Sequence, residues 1–176
     1  MSNYAQIREM DISNGSGIGV SIFFSGCNFH CKNCFNSELW DENYGSSFTD
    51  NEINMILNLM NKNYVSRLSI LGGDGLMNYN VNATFNLIKN IKSTYPNKKI
   101  WLYTGFKYED IINPKNCKLN EVQLLRQSIV KLCDVLVDGQ YIDELRDITL
   151  TYRGSSNQRV IDVQKSLEEN KVVLYD

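Results

Sequence analysis

Short apolar runs alternate with helical apolar stripes along this chain, and several of the runs stop at Gly or Asp. Val20-Ser21-Ile22-Phe23-Phe24 reads as a strand. Leu68–Leu71 runs into Gly72-Gly73, Ile100–Tyr103 into Thr104-Gly105, and Val135–Val137 into Asp138-Gly139. Weaker strand patterns lie at Val160-Ile161 and Val172–Leu174. Between them the apolar spacing becomes helical. Thr49 and Glu52 have capping-box spacing and open a helix with Ile53, Ile56, Leu57 and Met60 on one side. A second helix is predicted over Val81–Ile91, a third around Val122, Leu125, Ile129 and Leu132, and a fourth over Gln164–Glu169. Strands alternating with helices build βαβ units and a mostly parallel sheet, so the fold class is α/β. An eight-stranded barrel of this kind takes about 250 residues. The chain has 176, which leaves a partial barrel or an open sheet. The Gly and Asp residues then sit at the carboxyl ends of the strands, where such sheets bind ligands. No repeat or Gly/Pro-rich linker divides the sequence, so residues 1–176 are expected to form a single domain.

Charge and composition exclude several functions. Eighteen Lys and Arg against 20 Asp and Glu leave a net charge of −2, which argues against nucleic-acid binding by broad charge neutralisation. No apolar run approaches the roughly 20 residues of a membrane-spanning helix. Met1-Ser2-Asn3-Tyr4-Ala5 lacks the basic and apolar regions of a secretory signal. A cytoplasmic protein with neither nucleic-acid nor membrane partners is expected. Five cysteines in a reducing compartment point to metal or catalytic thiols rather than disulfides, and the single His30 excludes His-rich sites.

Three of those cysteines form Cys27-Asn28-Phe29-His30-Cys31-Lys32-Asn33-Cys34, a C-x3-C-x2-C loop directly after the first strand pattern. Clustered thiolates are soft ligands that select iron–sulfur clusters, zinc or copper. A structural zinc site closes with four ligands; the candidates for the fourth are the distant Cys117 and Cys133 and His30 inside the loop, the last of which would make a zinc-binding interaction module. Alternatively, three cysteines alone suit a four-iron cluster with one iron open, as catalytic metals require. Cys117, in a polar stretch, reads as a loop thiol, and Cys133, after an amphipathic helix, as a small buried hydrophobe.

The cysteine loop resembles that of the radical S-adenosylmethionine (SAM) superfamily. Further blocks narrow the resemblance to the activating proteins of anaerobic ribonucleoside-triphosphate reductases. They are Asn14-Gly15-Ser16-Gly17-Ile18, Phe23-Phe24-Ser25-Gly26-Cys27, Leu71-Gly72-Gly73-Asp74-Gly75-Leu76 and Trp101–Lys107. Val135-Leu136-Val137-Asp138-Gly139-Gln140-Tyr141 and Arg153-Gly154-Ser155-Ser156-Asn157-Gln158 complete the order. The resemblance implies a partial, incomplete TIM-type barrel, the radical SAM fold. It implies that Cys27, Cys31 and Cys34 hold three irons of a [4Fe–4S] cluster, with SAM on the fourth. A low-potential donor such as reduced flavodoxin would supply the electron that cleaves SAM, and the resulting radical would create a glycyl radical on the reductase. An activase of another glycyl-radical enzyme, a small-molecule radical SAM enzyme and a simple electron carrier are the competing readings.

The same resemblance implies roles at the strand ends. Gly72, Gly73 and Asp74 would receive the methionine ammonium of SAM, a charge-assisted hydrogen bond where the carboxylate takes part. Thr104, with Gly105, and Asp138 would edge the same pocket. Arg153 and Asn157 would order the pocket or meet the partner. Gly15–Gly19 precedes a strand, the wrong context for a dinucleotide fingerprint, and reads as a turn shaping the cluster's surroundings. The sequence departs from the family form at three positions: Ser16 for Pro, Gly19 for Arg, and Gly75 for Pro, the last of which should loosen its turn. Asn33 stands where an aromatic is frequent, leaving Phe29 and Phe35 as apolar cover.

Overall fold

A computed structural model describes residues 2–114 and 120–175. In chain order the elements are β1 (Asn3–Asp11), β2 (Gly19–Phe24), β3 (Ser46–Ser47), α1 (Asp50–Met60), β4 (Arg67–Gly72) and α2 (Val81–Thr94). They continue with β5 (Lys99–Tyr103), α3 (Tyr108–Ile112), α4 (Glu121–Leu132), β6 (Val135–Asp138), β7 (Arg159–Asp162) and α5 (Val163–Glu169). The strands form one seven-stranded sheet in the order β3-β1-β2-β4-β5-β6-β7. Pairs β2–β4, β4–β5 and β5–β6 are parallel, so the four strands legible as apolar runs make a parallel centre.

The edges differ from the expected pattern. Antiparallel β1 and β3 extend one side, and antiparallel β7 closes the other. β1 has no counterpart among the predicted strands, because Asn-Tyr-Ala-Gln-Ile-Arg-Glu-Met-Asp carries few apolar residues and is largely solvent-facing. The Val172–Leu174 pattern yields only an isolated bridge, Leu174 to Ile161. The sheet remains open.

Local chemistry explains the helices. Thr49 accepts from Asn51 N at 3.2 Å while the Glu52 carboxylate receives Thr49 N at 2.7 Å, the capping box that the spacing predicts. Asn120 and Gln123 do the same for α4. The two faces of the sheet then separate by the period of two. Val20, Ile22, Phe24, Leu68, Ile70, Ile100, Leu102 and Leu136 pack against Ile56, Met60, Leu87, Ile88 and Ile129 of the helices in one core. The opposite face carries two small clusters, Phe23/Leu39/Leu71 and Trp101/Val135/Val137, with buried Ser21, Arg67 and Ser69 on the same strands.

Candidate functional site

The cysteine loop leaves the carboxyl end of β2 and crosses the ends of β4 and β5. Gly26 carries a φ of 92°, which lets the chain turn; a side chain there would enter the Tyr79 ring. Backbone bonds fix the entry: Gly26 N donates to Leu39 O (2.8 Å), Cys27 N to Trp40 O (3.2 Å) and Asp74 N to Gly26 O (2.9 Å). Phe29 lies against Gly105 and meets Phe106 edge-on, with centroids 4.9 Å apart. Phe35, next to Cys34, is 77% exposed. His30 packs on the Trp40 ring at 4.8 Å.

Gly72 and Gly73 allow a close approach, but what approaches is the chain itself. A Cβ on Gly72 would stand 2.5 Å from Phe24 O, and one on Gly73 would collide with Gly26 O. These glycines therefore let the base of the cysteine loop sit on β4. Asp74 is buried and accepts from Thr104 Oγ1 (2.8 Å), Gly105 N (2.9 Å) and Leu76 N (2.8 Å). Burial raises its pKa to about 6, against the lowering effect of the bonds from Gly105, Leu76 and Thr104. Two residues singled out separately in the sequence, Asp74 and Thr104, are thus joined directly. The turn at Gly75 is tied by hydrogen bonds: its carbonyl accepts from Thr84 Oγ1 (2.8 Å), and Asn80 Nδ2 donates to Ser25 O and Asp74 O.

Asp138 is also buried and engaged. It accepts from Tyr108 N (2.8 Å) and from Arg159 through both Nε (2.9 Å) and Nη2. Arg159 forks onto Glu109 as well (2.9 and 2.8 Å), and that hydrogen bonding holds the Glu109 carboxyl at about 2. Asp138, Arg159, Glu109, Gly105 and Phe29 border a cleft of about 730 Å³ at the strand ends.

A second cavity, about 380 Å³, opens on the other face beside Cys34. Asn14, Asn36, Tyr103, Tyr141, Arg153 and Gln158 contribute to its walls. Asn36 Nδ2 reaches Gly72 O at 3.4 Å, which brings this wall to the Gly-Gly segment. The Tyr103 hydroxyl is buried with no partner among the described residues, and burial raises its pKa. The Arg153–Gln158 segment folds on itself and onto β6: Arg153 Nη1 donates to Gln158 O (2.6 Å), Gln158 Nε2 to Gly139 O (2.9 Å) and Asn157 Nδ2 to Gln140 O (2.8 Å). Sequence reasoning missed Tyr103, Asn36 and Asn14. Strand alternation could have found the first, because Thr104 and Tyr103 must face opposite sides.

The donor set suits a soft, multi-centre metal group. Burial pushes the Cys27 thiol up to about 11 and raises Cys31. Among the described residues no group of three or more His, Cys, Asp or Glu side chains is arranged to hold a metal ion, and His30 packs against Trp40. Cys133 is fully buried and donates to Ile129 O (3.2 Å), in the core as expected of a small hydrophobe. Cys117 lies outside the described residues. Also among these residues, no helix is long and apolar enough to cross a membrane.

Comparison with known proteins agrees with this arrangement. Residues 13–161 match the family described as "4Fe-4S single cluster domain". The chain is 37% identical over 160 residues to the anaerobic ribonucleoside-triphosphate reductase-activating protein of Escherichia coli K12, covering 90% of this chain and 97% of that protein. The protein of the same name from Enterobacteria phage T4 is 35% identical over 158 residues, covering 90% of this chain and 92% of the relative. That of Haemophilus influenzae is 34% identical over 158 residues, with 89% and 95% covered. A three-cysteine loop seated on the carboxyl ends of a parallel sheet, carried on a sequence this similar over this length, places the chain in the 4Fe-4S single cluster domain family, among the anaerobic ribonucleoside-triphosphate reductase-activating proteins.

Proposed function

We propose that residues 1–176 act as a single cytoplasmic radical SAM domain, a partial barrel, that generates a glycyl radical on anaerobic ribonucleoside-triphosphate reductase. Cys27, Cys31 and Cys34 would hold a [4Fe–4S] cluster, and SAM would enter the cavity beside Cys34. When bound, such a cluster supplies one electron to the sulfonium of SAM, whose carbon–sulfur bond breaks to give methionine and an adenosyl radical able to take a hydrogen atom from glycine.

The observation that carries this reading is the position of Cys34 on the wall of a cavity that also reaches toward Gly72 through Asn36. The chain's own residues divide the remaining work. The Gly72 carbonyl would accept from the SAM ammonium, and Gly73 keeps the cysteine loop close. Asp74 and Thr104 brace that segment against β5 from the buried side, and Asp138 does the same for β6 through Arg159 and Tyr108 N. Tyr103 offers a hydroxyl that has no partner among the described residues. Phe29 keeps water from the outer side of the loop, while the open sheet leaves the radical accessible to a protein substrate. Acid–base groups have little to do, which agrees with a single His used in stacking.

Anaerobically reconstituted protein, reduced by a low-potential donor such as flavodoxin and mixed with SAM and the reductase, should bring up a glycyl radical signal in electron paramagnetic resonance. Cleavage of SAM without that signal would move the target to another glycyl-radical enzyme or a small molecule. Colourless protein with stoichiometric zinc would overturn the proposal.

A further inference from the structure

Arg67 opens β4 directly opposite Gly19 of β2 and is fully buried, rare for an arginine unless its charge is paired. Its side chain occupies the room that two glycines leave. A Cβ on Gly19 would stand 2.5 Å from Nη1 and 2.6 Å from Cγ, and one on Gly15 would stand 2.8 Å from Nε and from the Trp101 ring. The guanidinium donates to Asp11 O (2.8 Å) and Ser69 Oγ (2.5 Å), and lies 3.3 Å from Asp11 Oδ1. Ser69 Oγ passes the connection to Asn14 O at 2.5 Å. Asp11 in turn accepts from Ser13 N (2.8 Å), Asn14 N (2.9 Å) and Asn14 Nδ2 (2.6 Å). Ser13 and Asn14 are the part of this turn that reaches the cavity wall with Cys34 and Tyr103. The turn over Gly15–Gly19 therefore packs on Arg67 at the opposite end of β2 from the cysteines, and the residues that lead into it, Ser13 and Asn14, reach the site.

A buried ion pair contributes little net stability, because desolvation offsets the attraction, but it can fix geometry. Here it latches both ends of one turn to the neighbouring strand. We infer that Arg67 is a positioning residue: its guanidinium, standing in the space of the absent Gly19 side chain, holds Asp11 and Asn14 so that the cavity wall keeps the shape that receives SAM. The inference rests on the proposed role of that cavity. It also has a consequence independent of the role. Gly19 and Arg67 are cross-strand neighbours sharing one side-chain volume, so a guanidinium supplied from position 19 should serve when position 67 is small.

The test compares Arg67→Ser, Gly19→Arg, the exchange Gly19→Arg/Arg67→Ser, and Arg67→Lys. Arg67→Ser leaves a buried carboxylate without its cation and should lower the unfolding midpoint by about 10 °C. Gly19→Arg alone crowds two arginines into one space and should also lower it. The exchange should recover most of the loss; a double variant as unstable as the sum of the singles would overturn the shared-volume claim. Equilibrium SAM binding to cluster-loaded protein is then measured at a temperature where every variant is folded. Arg67→Ser should weaken it about tenfold, the scale typical of lost supporting contacts, with intermediate affinity for Arg67→Lys and near-native affinity for the exchange. Native SAM affinity in folded Arg67→Ser would overturn the positioning role. Wild-type protein that binds no SAM would overturn the cavity assignment and the positioning role with it, while the midpoints would still decide the exchange.

Discussion

Strands β2, β4, β5 and β6 turn Ile22, Ile70, Leu102 and Leu136 toward the helices and Phe23, Leu71, Tyr103 and Val137 toward the open side. The first set joins one continuous aliphatic core. The second is broken into two small clusters with Ser21, Ser69 and Arg67 buried on the same face and a cavity beside Cys34. One backbone thus carries two environments, and the period of two keeps them apart. The closed face holds the sheet together, which leaves the open face free to carry polar groups, the Tyr103 hydroxyl and room for a ligand.

Substitutions on each face should separate these tasks. The largest effect expected is all-or-none: Cys34→Ala should abolish the iron–sulfur absorbance of reconstituted protein while its thermal midpoint without metal stays near native, since Cys34 is only half-buried. Ile70→Ala on the closed face should do the reverse, costing about 3 kcal/mol in denaturant unfolding while iron and sulfide content stay native. Equal loss of cluster in both variants would break the division.

The buried charges of the open face should show in the pH dependence. Burial disfavours ionised Asp11, but hydrogen bonds from Asn14 and Ser13 outweigh it and hold the carboxyl at about 2, below the ordinary 3.8. Between those values the unfolded chain binds more protons, so the stabilisation is present above pH 3.8 and is lost as pH falls toward 2. It amounts to about 2 kcal/mol, and the unfolding free energies of native and Asp11→Asn protein should converge over that window. Parallel curves would contradict the assignment. The smallest effect is expected at Tyr103→Phe. Removing a hydroxyl with no partner among the described residues should leave stability native or slightly raised, while SAM affinity falls about fivefold, the worth of one hydrogen bond.

Much of this architecture was legible in the sequence because it rests on local patterns. The parallel strands are apolar runs ended by Gly or Asp, and α1 begins at a capping box whose spacing is visible. The edge strand β1 was not legible, since a half-exposed antiparallel strand with Gln, Arg and Glu has no apolar signature. At the site, the three cysteines stand out by spacing, but the duties of Asp74, Thr104 and Asp138 depend on contacts between strands far apart in sequence. Composition marks them as polar groups at strand ends. Only the fold reveals that Asp74 spends its carboxylate on Thr104, Gly105 and Leu76. Gly15 and Gly19 were legible as glycines, yet their reason lies in Arg67, about fifty residues away.

In the proposed function the cavity beside Cys34 brings SAM to a cluster with an open iron. Electron paramagnetic resonance of the reduced, cluster-loaded protein before and after addition of SAM tests it most directly. The spectrum should change on addition, in native protein and in Cys133→Ala, whose thiol lies in the core. A cluster signal that SAM leaves unaltered would instead mark the chain as an electron carrier.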